Sequence, residues 1–257
     1  MQKDWDYAAA AYSEDYSKHV ESYKPSKGDR TTLKEELDWL RGLKAVEERS
    51  FSRVSNSGIF AGISQDDWRD LGRNAVERGD VGIRRGFKEF VESVTKEGAE
   101  LGIVSVNFST EWIKGVLSAV IGAQAENVRV LANSPDERGI LRGPEGERGG
   151  EGEVMVTSDA KLEAVMRLLR EWDAGYRIDY EEINAVYYIG DSGTDLECLI
   201  EDQTIGVAMA KEGKSSLMDM LQRIGVKTTH IEQYQEDSAV VHWAEDFEQI
   251  ARSPLCR

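Results

Sequence analysis

Two hydrophobic patterns divide the chain. Up to about residue 81, apolar side chains recur every three to four positions among many charged ones, which predicts amphipathic helices. The clearest run consists of Leu33, Leu37, Leu40, Leu43 and Val46. From residue 84 onward, short apolar runs typical of strands alternate with helical patterns, which indicates βαβ units and a parallel sheet. We therefore predict an α/β protein with a smaller helical domain over residues 1–81 and an α/β domain over residues 82–257.

One strand of this second part ends in a pair of acidic residues. The apolar run 185–189 leads into Gly190, and Asp191 and Asp195 follow across a turn of small residues. Open α/β sheets bind ligands at the carboxyl edge of their strands. Paired carboxylates there suit Mg²⁺, which is held through one or two carboxylates and substrate oxygens. The alternative is an ordinary turn and helix cap, in which Asp and Ser are common.

A second strand pattern ends in hydroxyl and amide side chains. Residues 100–109 read as a buried strand, with Ser105 and Asn107 near its end and Ser109 or Thr110 placed to cap a following helix. Such a helix N-terminus is a ready anion site because its free backbone N–H groups point outward. We therefore take Ser105 and Asn107 as candidate phosphate-binding residues.

A lysine lies near the predicted start of another helix. Ser158 or Asp159 is placed to cap this helix, which puts Lys161 in its first turn. A cation in a first turn opposes the helix dipole, so a local partner is expected. The alternative is a solvated surface lysine. At the end of the chain, the apolar spacing over residues 239–251 predicts a last amphipathic helix.

Taken together and in this order, these segments resemble the haloacid dehalogenase (HAD) superfamily of phosphohydrolases. Ser105 matches the second motif of that family, Lys161 the third, and Asp191 with Asp195 the fourth. The similarity covers roughly residues 82–250 and is closest to the phosphoserine-phosphatase-like branch, whose helical cap is inserted after the first strand. The resemblance implies a Rossmann-like parallel sheet with a smaller helical cap.

The resemblance also implies a mechanism, in which phosphoryl is transferred to an Asp nucleophile and the aspartyl phosphate is then hydrolysed. Asp191 would hold Mg²⁺, and Ser105, with Asn107 beside it, would bind phosphoryl oxygens. Lys161 would neutralise the phosphate, and Asp195 would hold Lys161 or a metal-bound water. The expected substrate is a small phosphorylated or anionic metabolite.

The first motif of the family, Asp-x-Asp-x-Thr at the tip of the first strand, has no match. No segment before Ser105 reads as an apolar strand ending in such a pair, and Asp4-Trp5-Asp6 has only the spacing. We therefore expect the first strand and its nucleophile to be absent from this chain. Three hypotheses follow: a phosphatase whose first segment is missing from this sequence, a non-catalytic anion-binding or regulatory protein, or a metal-assisted lyase or isomerase.

The net charge of −16 argues against nucleic acid and anionic membranes as partners. No apolar run approaches the roughly 20 residues that span a bilayer, and the first residues lack the apolar core of a signal peptide. With two cysteines, Cys198 and Cys256, the sequence offers no disulfide framework. These features favour a cytoplasmic protein.

Overall fold

A computed structural model describes residues 2–144, 153–176, 186–235 and 240–256. Its helices are α1 (Gln2–Ser22), α2 (Leu33–Gly42), α3 (Lys44–Ser57), α4 (Gln65–Glu77), α5 (Phe87–Lys96), α6 (Thr110–Ile121), α7 (Ser158–Tyr176), α8 (Leu196–Leu199), α9 (Ser216–Arg223) and α10 (Phe247–Arg252). Its strands are β1 (Gly102–Ser105), β2 (Arg129–Ala132), β3 (Ser134–Pro135), β4 (Leu141–Arg142), β5 (Tyr187–Gly190), β6 (Ile205–Met209), β7 (Thr228–His230) and β8 (Val241–Ala244).

The chain forms two compact units, each assembled from separate stretches. The first unit takes residues 1–23, 42–83 and 91–157, and the second takes residues 24–41, 84–90 and 158–257. The mixture of helices and parallel strands confirms the predicted α/β class. The division into a cap over residues 1–81 and a core over residues 82–257 stays a prediction. Within the described ranges, no helix combines the length and the apolar composition that crossing a membrane requires.

In the first unit, β1 and β2 pair in parallel and β3 and β4 form a short antiparallel ladder. Helices α4 and α6 approach each other closely at two glycines. A Cβ atom on Gly72 would lie 2.2 Å from the carbonyl oxygen of Trp112, and one on Gly115 would lie 2.1 Å from that of Arg69. Any larger residue at either position would force these helices apart.

Helices α1 and α3 of the same unit close over a small apolar core. Its buried members are Ala8, Phe51, Val54, Leu141 and Val156, with Phe60, Phe108 and Val154 packed against them. Of the apolar run predicted from helical spacing, Leu40 and Val46 are buried, although neither belongs to this cluster.

The second unit contains a four-stranded parallel sheet in the order β5-β6-β8-β7, which among the described strands places β5 at one edge. Helix α8 packs tightly on β6, since a Cβ atom on Gly206 would lie 2.0 Å from the carbonyl oxygen of Leu199. The first residue of the predicted strand, Ala185, lies outside the described residues.

Helix α2 is anchored in the second unit by a buried charge cluster. The carboxylate of Glu36, only 1% exposed, accepts hydrogen bonds from Nε of Arg30 (2.9 Å) and Nη1 of Arg223 (2.8 Å). The guanidinium of Arg30 also lies over the ring of Trp39, 4.3 Å from its centroid. These contacts tie α2 to α9.

The predicted last helix over residues 239–251 is wrong. Residues 241–244 form β8, which pairs with β6 and β7, and α10 begins only at Phe247 after Asp246, whose side chain accepts a bond from the N–H of Gln249 (3.0 Å). A short apolar run fits a buried strand as well as a helix, and pairing between two neighbouring strands decides in favour of the strand. Ala239, where the helix was predicted to start, lies outside the described residues.

Candidate functional site

The turn that follows β5 is organised by one carboxylate. After Gly190, the side chain of Asp195 folds back so that its Oδ2 accepts hydrogen bonds from the N–H groups of Asp191 (3.0 Å) and Ser192 (2.9 Å). The hydroxyl of Ser192 donates to the same oxygen at 2.8 Å. A Cβ atom on Gly190 would lie 2.5 Å from Cγ of Asp195, so this position requires glycine. Asp195 thus holds the backbone of Asp191 and Ser192 in place directly after β5.

The other oxygen of Asp195 faces Lys161. Its Oδ1 lies 2.5 Å from the Lys161 ammonium and accepts a hydrogen bond from the Tyr188 hydroxyl at 2.6 Å. Lys161 is 7% exposed and Asp195 is 3% exposed, which excludes the alternative of a solvated surface lysine. Lys161 lies in the first turn of α7, where the helix dipole disfavours a cation. Asp195 is the local partner that was expected for it.

The surroundings of Asp195 decide its protonation. Burial penalises the ionised carboxylate, but the charge of Lys161 and the hydrogen bonds from Lys161, Tyr188 and the Ser192 N–H outweigh that penalty, so the pKa of Asp195 is lowered. Burial and the adjacent carboxylate raise the pKa of Tyr188, which therefore stays a neutral donor. Asp195 is therefore ionised at neutral pH.

This lowered pKa predicts a stability difference that depends on pH. A carboxyl group with a depressed folded-state pKa contributes stability that is complete above its unfolded pKa of about 4 and is lost as pH falls through the folded value. We expect the wild-type chain to be more stable than Asp195→Asn near about pH 7, and this advantage to shrink below about pH 4. Urea unfolding of both proteins across that range measures it. A difference that stays constant or grows toward acid would contradict the assignment.

Asp191 points into a different environment. Its side chain is 59% exposed, and its Oδ2 lies 3.0 Å from Nη2 of Arg84, itself 39% exposed. The segment that carries Arg84 is fixed by its neighbour, since the carbonyl of Arg85 accepts from the N–H of Phe247 (3.0 Å) and the Arg85 guanidinium pairs with Asp246 at 2.9 Å. Asp191 is thus an accessible carboxylate with one basic neighbour.

A second buried carboxylate, two residues after Asp195, was missed by sequence analysis. Glu197, whose side chain is 4% exposed, accepts a hydrogen bond from the hydroxyl of Ser158 (2.7 Å) and forms an ion pair with Arg41 of α2. Ser158 begins α7, so this contact holds the first turn that presents Lys161. Arg41 is 156 positions away from Glu197, and no local pattern relates them.

In the first unit, a loop after β1 holds the two candidate phosphate-binding residues. The predicted strand covered residues 100–109, but β1 ends at Ser105. Side-chain hydrogen bonds then stabilise a turn of the chain. The Ser105 hydroxyl accepts from the N–H of Asn107 (3.2 Å), and Oδ1 of Asn107 accepts from the N–H of Ser109 (3.0 Å). Ser109 caps α6, as predicted, by accepting from the N–H of Trp112 at 3.1 Å.

A buried amide that the sequence did not single out supports this loop. Asn133, with no exposed surface, donates to the carbonyl oxygens of Val106 (3.3 Å), Asn107 (3.2 Å) and Met155 (3.0 Å). The Ser105 hydroxyl oxygen and Oδ1 of Asn107 each accept one bond within the loop. The Ser105 hydroxyl and the Asn107 side-chain amide also carry hydrogens that can act as donors. Donors are what an oxyanion requires. The predicted meeting of Ser105 and Asn107 with Lys161 and the two carboxylates stays a prediction.

The two carboxylates, Asp191 and Asp195, differ in their capacity to bind Mg²⁺. Asp195 receives five hydrogen bonds, more than the roughly four lone-pair sites of a carboxylate, so it has none left for a metal. Among the described residues, no group of three or more His, Cys, Asp or Glu side chains could hold a metal ion. Asp191 therefore fits Mg²⁺ as a single carboxylate ligand, which suffices only where substrate oxygens and water complete the shell.

Comparison with known proteins gives a family and several relatives. Residues 10–199 match the family model described as haloacid dehalogenase-like hydrolase. The chain is similar to Cold tolerance protein 1 of Saccharomyces cerevisiae, with 25% identity over 209 residues that cover 79% of this chain and 64% of that protein. The chain thus spans less than two thirds of the length of that relative.

Two further similarities extend along most of the chain. CTO1 family protein C17G9.12c of Schizosaccharomyces pombe is 24% identical over 245 residues, covering 93% of this chain and 82% of that protein. Among solved structures, a conserved functionally unknown protein from Anaerococcus prevotii DSM 20548 aligns with a TM-score of 0.46 and 16% identity, covering 92% of this chain and 68% of that one.

Proposed function

Because the chain belongs to the haloacid dehalogenase-like hydrolase family, we propose that it binds the phosphate group of a small phosphorylated metabolite, with Mg²⁺ as cofactor. The observation that supports this most directly is the buried Lys161–Asp195 ion pair beside the exposed carboxylate of Asp191. A fixed cation next to an accessible hard ligand is the pairing that a phosphate and its metal require.

Each side chain has a distinct part in this proposal. Lys161 uses one of its three ammonium hydrogens on Asp195, and no other partner occurs among the described residues. In this proposal the other two hydrogens bind phosphoryl oxygens. Asp195 positions the Lys161 ammonium through their direct contact. Ser105 and Asn107, whose meeting with these residues is a prediction from the sequence, would supply neutral donors from their loop.

Asp191 would hold Mg²⁺, which neutralises negative charge on phosphoryl oxygens when bound. Mg²⁺ binding would displace the Arg84 guanidinium from Asp191. This displacement costs little, because an exposed ion pair is worth only about 0–1 kcal/mol. We propose binding rather than turnover for the 257-residue chain, because its sequence has no Asp-x-Asp-x-Thr after an apolar strand.

Calorimetric titration with inorganic phosphate tests the proposal. In the presence of Mg²⁺ we expect the chain to bind phosphate, and we expect Asp191→Asn to weaken that binding by at least about tenfold, because loss of a metal ligand costs no less than loss of its supporting contacts. Asp202→Asn is the matched control, since this exposed carboxylate of the same unit lies in a turn away from the site motif.

Two results would overturn the proposal. One is the absence of phosphate binding by the folded chain. The other is phosphate binding that is indifferent to both Mg²⁺ and Asp191→Asn, which would leave Asp191 without a role.

A further inference from the structure

The first unit contains an apolar cleft between α1 and α3. Its volume is about 280 Å³, close to the lower end of the range for small-molecule sites. Four aromatic residues line it: Trp5, Tyr12, Phe51 and Phe108. Phe108 is the centre of this group, with its ring centroid 4.9 Å from that of Phe51 and 6.2 Å from that of Trp5.

Glu47 is the only charged side chain among the described residues that line the cleft. Its carboxylate accepts a hydrogen bond from the Tyr12 hydroxyl at 2.8 Å. Burial raises the pKa of Glu47, although the Tyr12 hydrogen bond partly opposes that shift. A half-buried carboxylate in an apolar wall is costly unless a positive charge or further donors accompany it.

No cation among the described residues accompanies Glu47. The basic residues nearest to it along α3 are engaged elsewhere, since Arg49 and Arg53 both pair with Asp15 and Lys44 pairs with Glu48 and Glu153. The cleft therefore combines aromatic rings with one negative charge that has no counter-ion within the described part of the chain.

We propose that this cleft binds a small organic cation, an alkylammonium or quaternary ammonium group. Aromatic rings attract such cations through their quadrupoles while their apolar surface accommodates the methyl groups. The carboxylate of Glu47 adds a direct charge interaction, and the net charge of −16 favours the approach of cations over anions. An anion would be repelled, and a neutral apolar ligand would leave the Glu47 carboxylate with only the Tyr12 hydrogen bond to offset its burial.

The cleft shares no residue with the proposed phosphate site, although Phe108 directly follows Asn107 along the chain. Its test contains neither phosphate nor Mg²⁺, so one proposal can fail while the other stands.

Choline and 3,3-dimethyl-1-butanol form a matched pair of probes, because they have nearly the same shape and differ in charge. We expect saturable binding of choline to the full chain, measured by ligand-observed NMR, and binding of the neutral alcohol that is weaker by about tenfold, the effect of roughly one favourable charge interaction. Glu47→Gln, which keeps an acceptor for Tyr12, should weaken choline binding about as much and leave the alcohol unaffected.

Glu48→Gln is the control, since this next residue of α3 is 42% exposed and pairs with Lys44. Trp5→Leu provides a second variant that removes a ring from the rim, where Trp5 is 41% exposed, without disturbing the buried core. Equal binding of choline and the neutral alcohol would overturn the proposal. So would choline binding that survives Glu47→Gln and Trp5→Leu, or no choline binding by the folded wild-type chain.

Discussion

Replacing Lys161 by methionine is expected to lower the free energy of unfolding by about 3–5 kcal/mol, because it leaves the Asp195 carboxylate buried without its counter-charge. The two side chains are 8% and 4% exposed, so water cannot replace the lost partner. Methionine fills a similar volume, so the loss reflects charge rather than a cavity. The hydrogen bonds that Tyr188 and Ser192 donate to the Asp195 carboxylate remain in the variant. They limit the expected loss of stability and account for the lower end of the range of about 3–5 kcal/mol.

Urea unfolding of the Lys161→Met chain at neutral pH measures this effect. Lys88→Met is the control, since Lys88 is exposed in the same unit, and it should change stability by less than about 0.5 kcal/mol. Adding Asp195→Asn to Lys161→Met removes the stranded charge and should recover part of the loss, as contacting residues are coupled. A loss below about 1 kcal/mol, or full additivity of the two changes, would show that the pair behaves as a surface pair.

The 257-residue chain is expected to hydrolyse p-nitrophenyl phosphate at no more than the background rate in the presence of Mg²⁺. The covalent step needs a carboxylate in line with phosphorus, and loss of a covalent nucleophile typically costs several orders of magnitude in kcat. Asp195 cannot take that place, because both of its oxygens are buried and engaged.

Fusion of an N-terminal strand that carries Asp-x-Asp-x-Thr should restore turnover, and Asp191→Asn in the fused protein should abolish it again by weakening the metal site. The same fusion with both Asp residues replaced by Asn is the control. Robust turnover by the unfused chain that is lost in Asp191→Asn would contradict this prediction and would mean that another carboxylate serves as nucleophile.

The sequence alone determined the local features around the candidate site. The Ser109 cap of α6 and the turn from β5 through Asp191 to Asp195 follow from residues within a few positions of each other. Such features depend on short-range hydrogen bonds and on glycine where no Cβ fits, so the local sequence suffices to predict them. The α/β class likewise followed from the alternation of strand and helix patterns.

The tertiary structure alone decided how those features are supported. Residues 241–244 became β8 because β6 and β7 pair with them, although the same apolar spacing suits a helix. The Arg41–Glu197 and Arg84–Asp191 pairs join residues 156 and 107 positions apart. Apolar periodicity indicates which face of an element is buried. The partner of a buried charge depends instead on which distant segments the fold brings together. A local stretch of sequence does not contain that information.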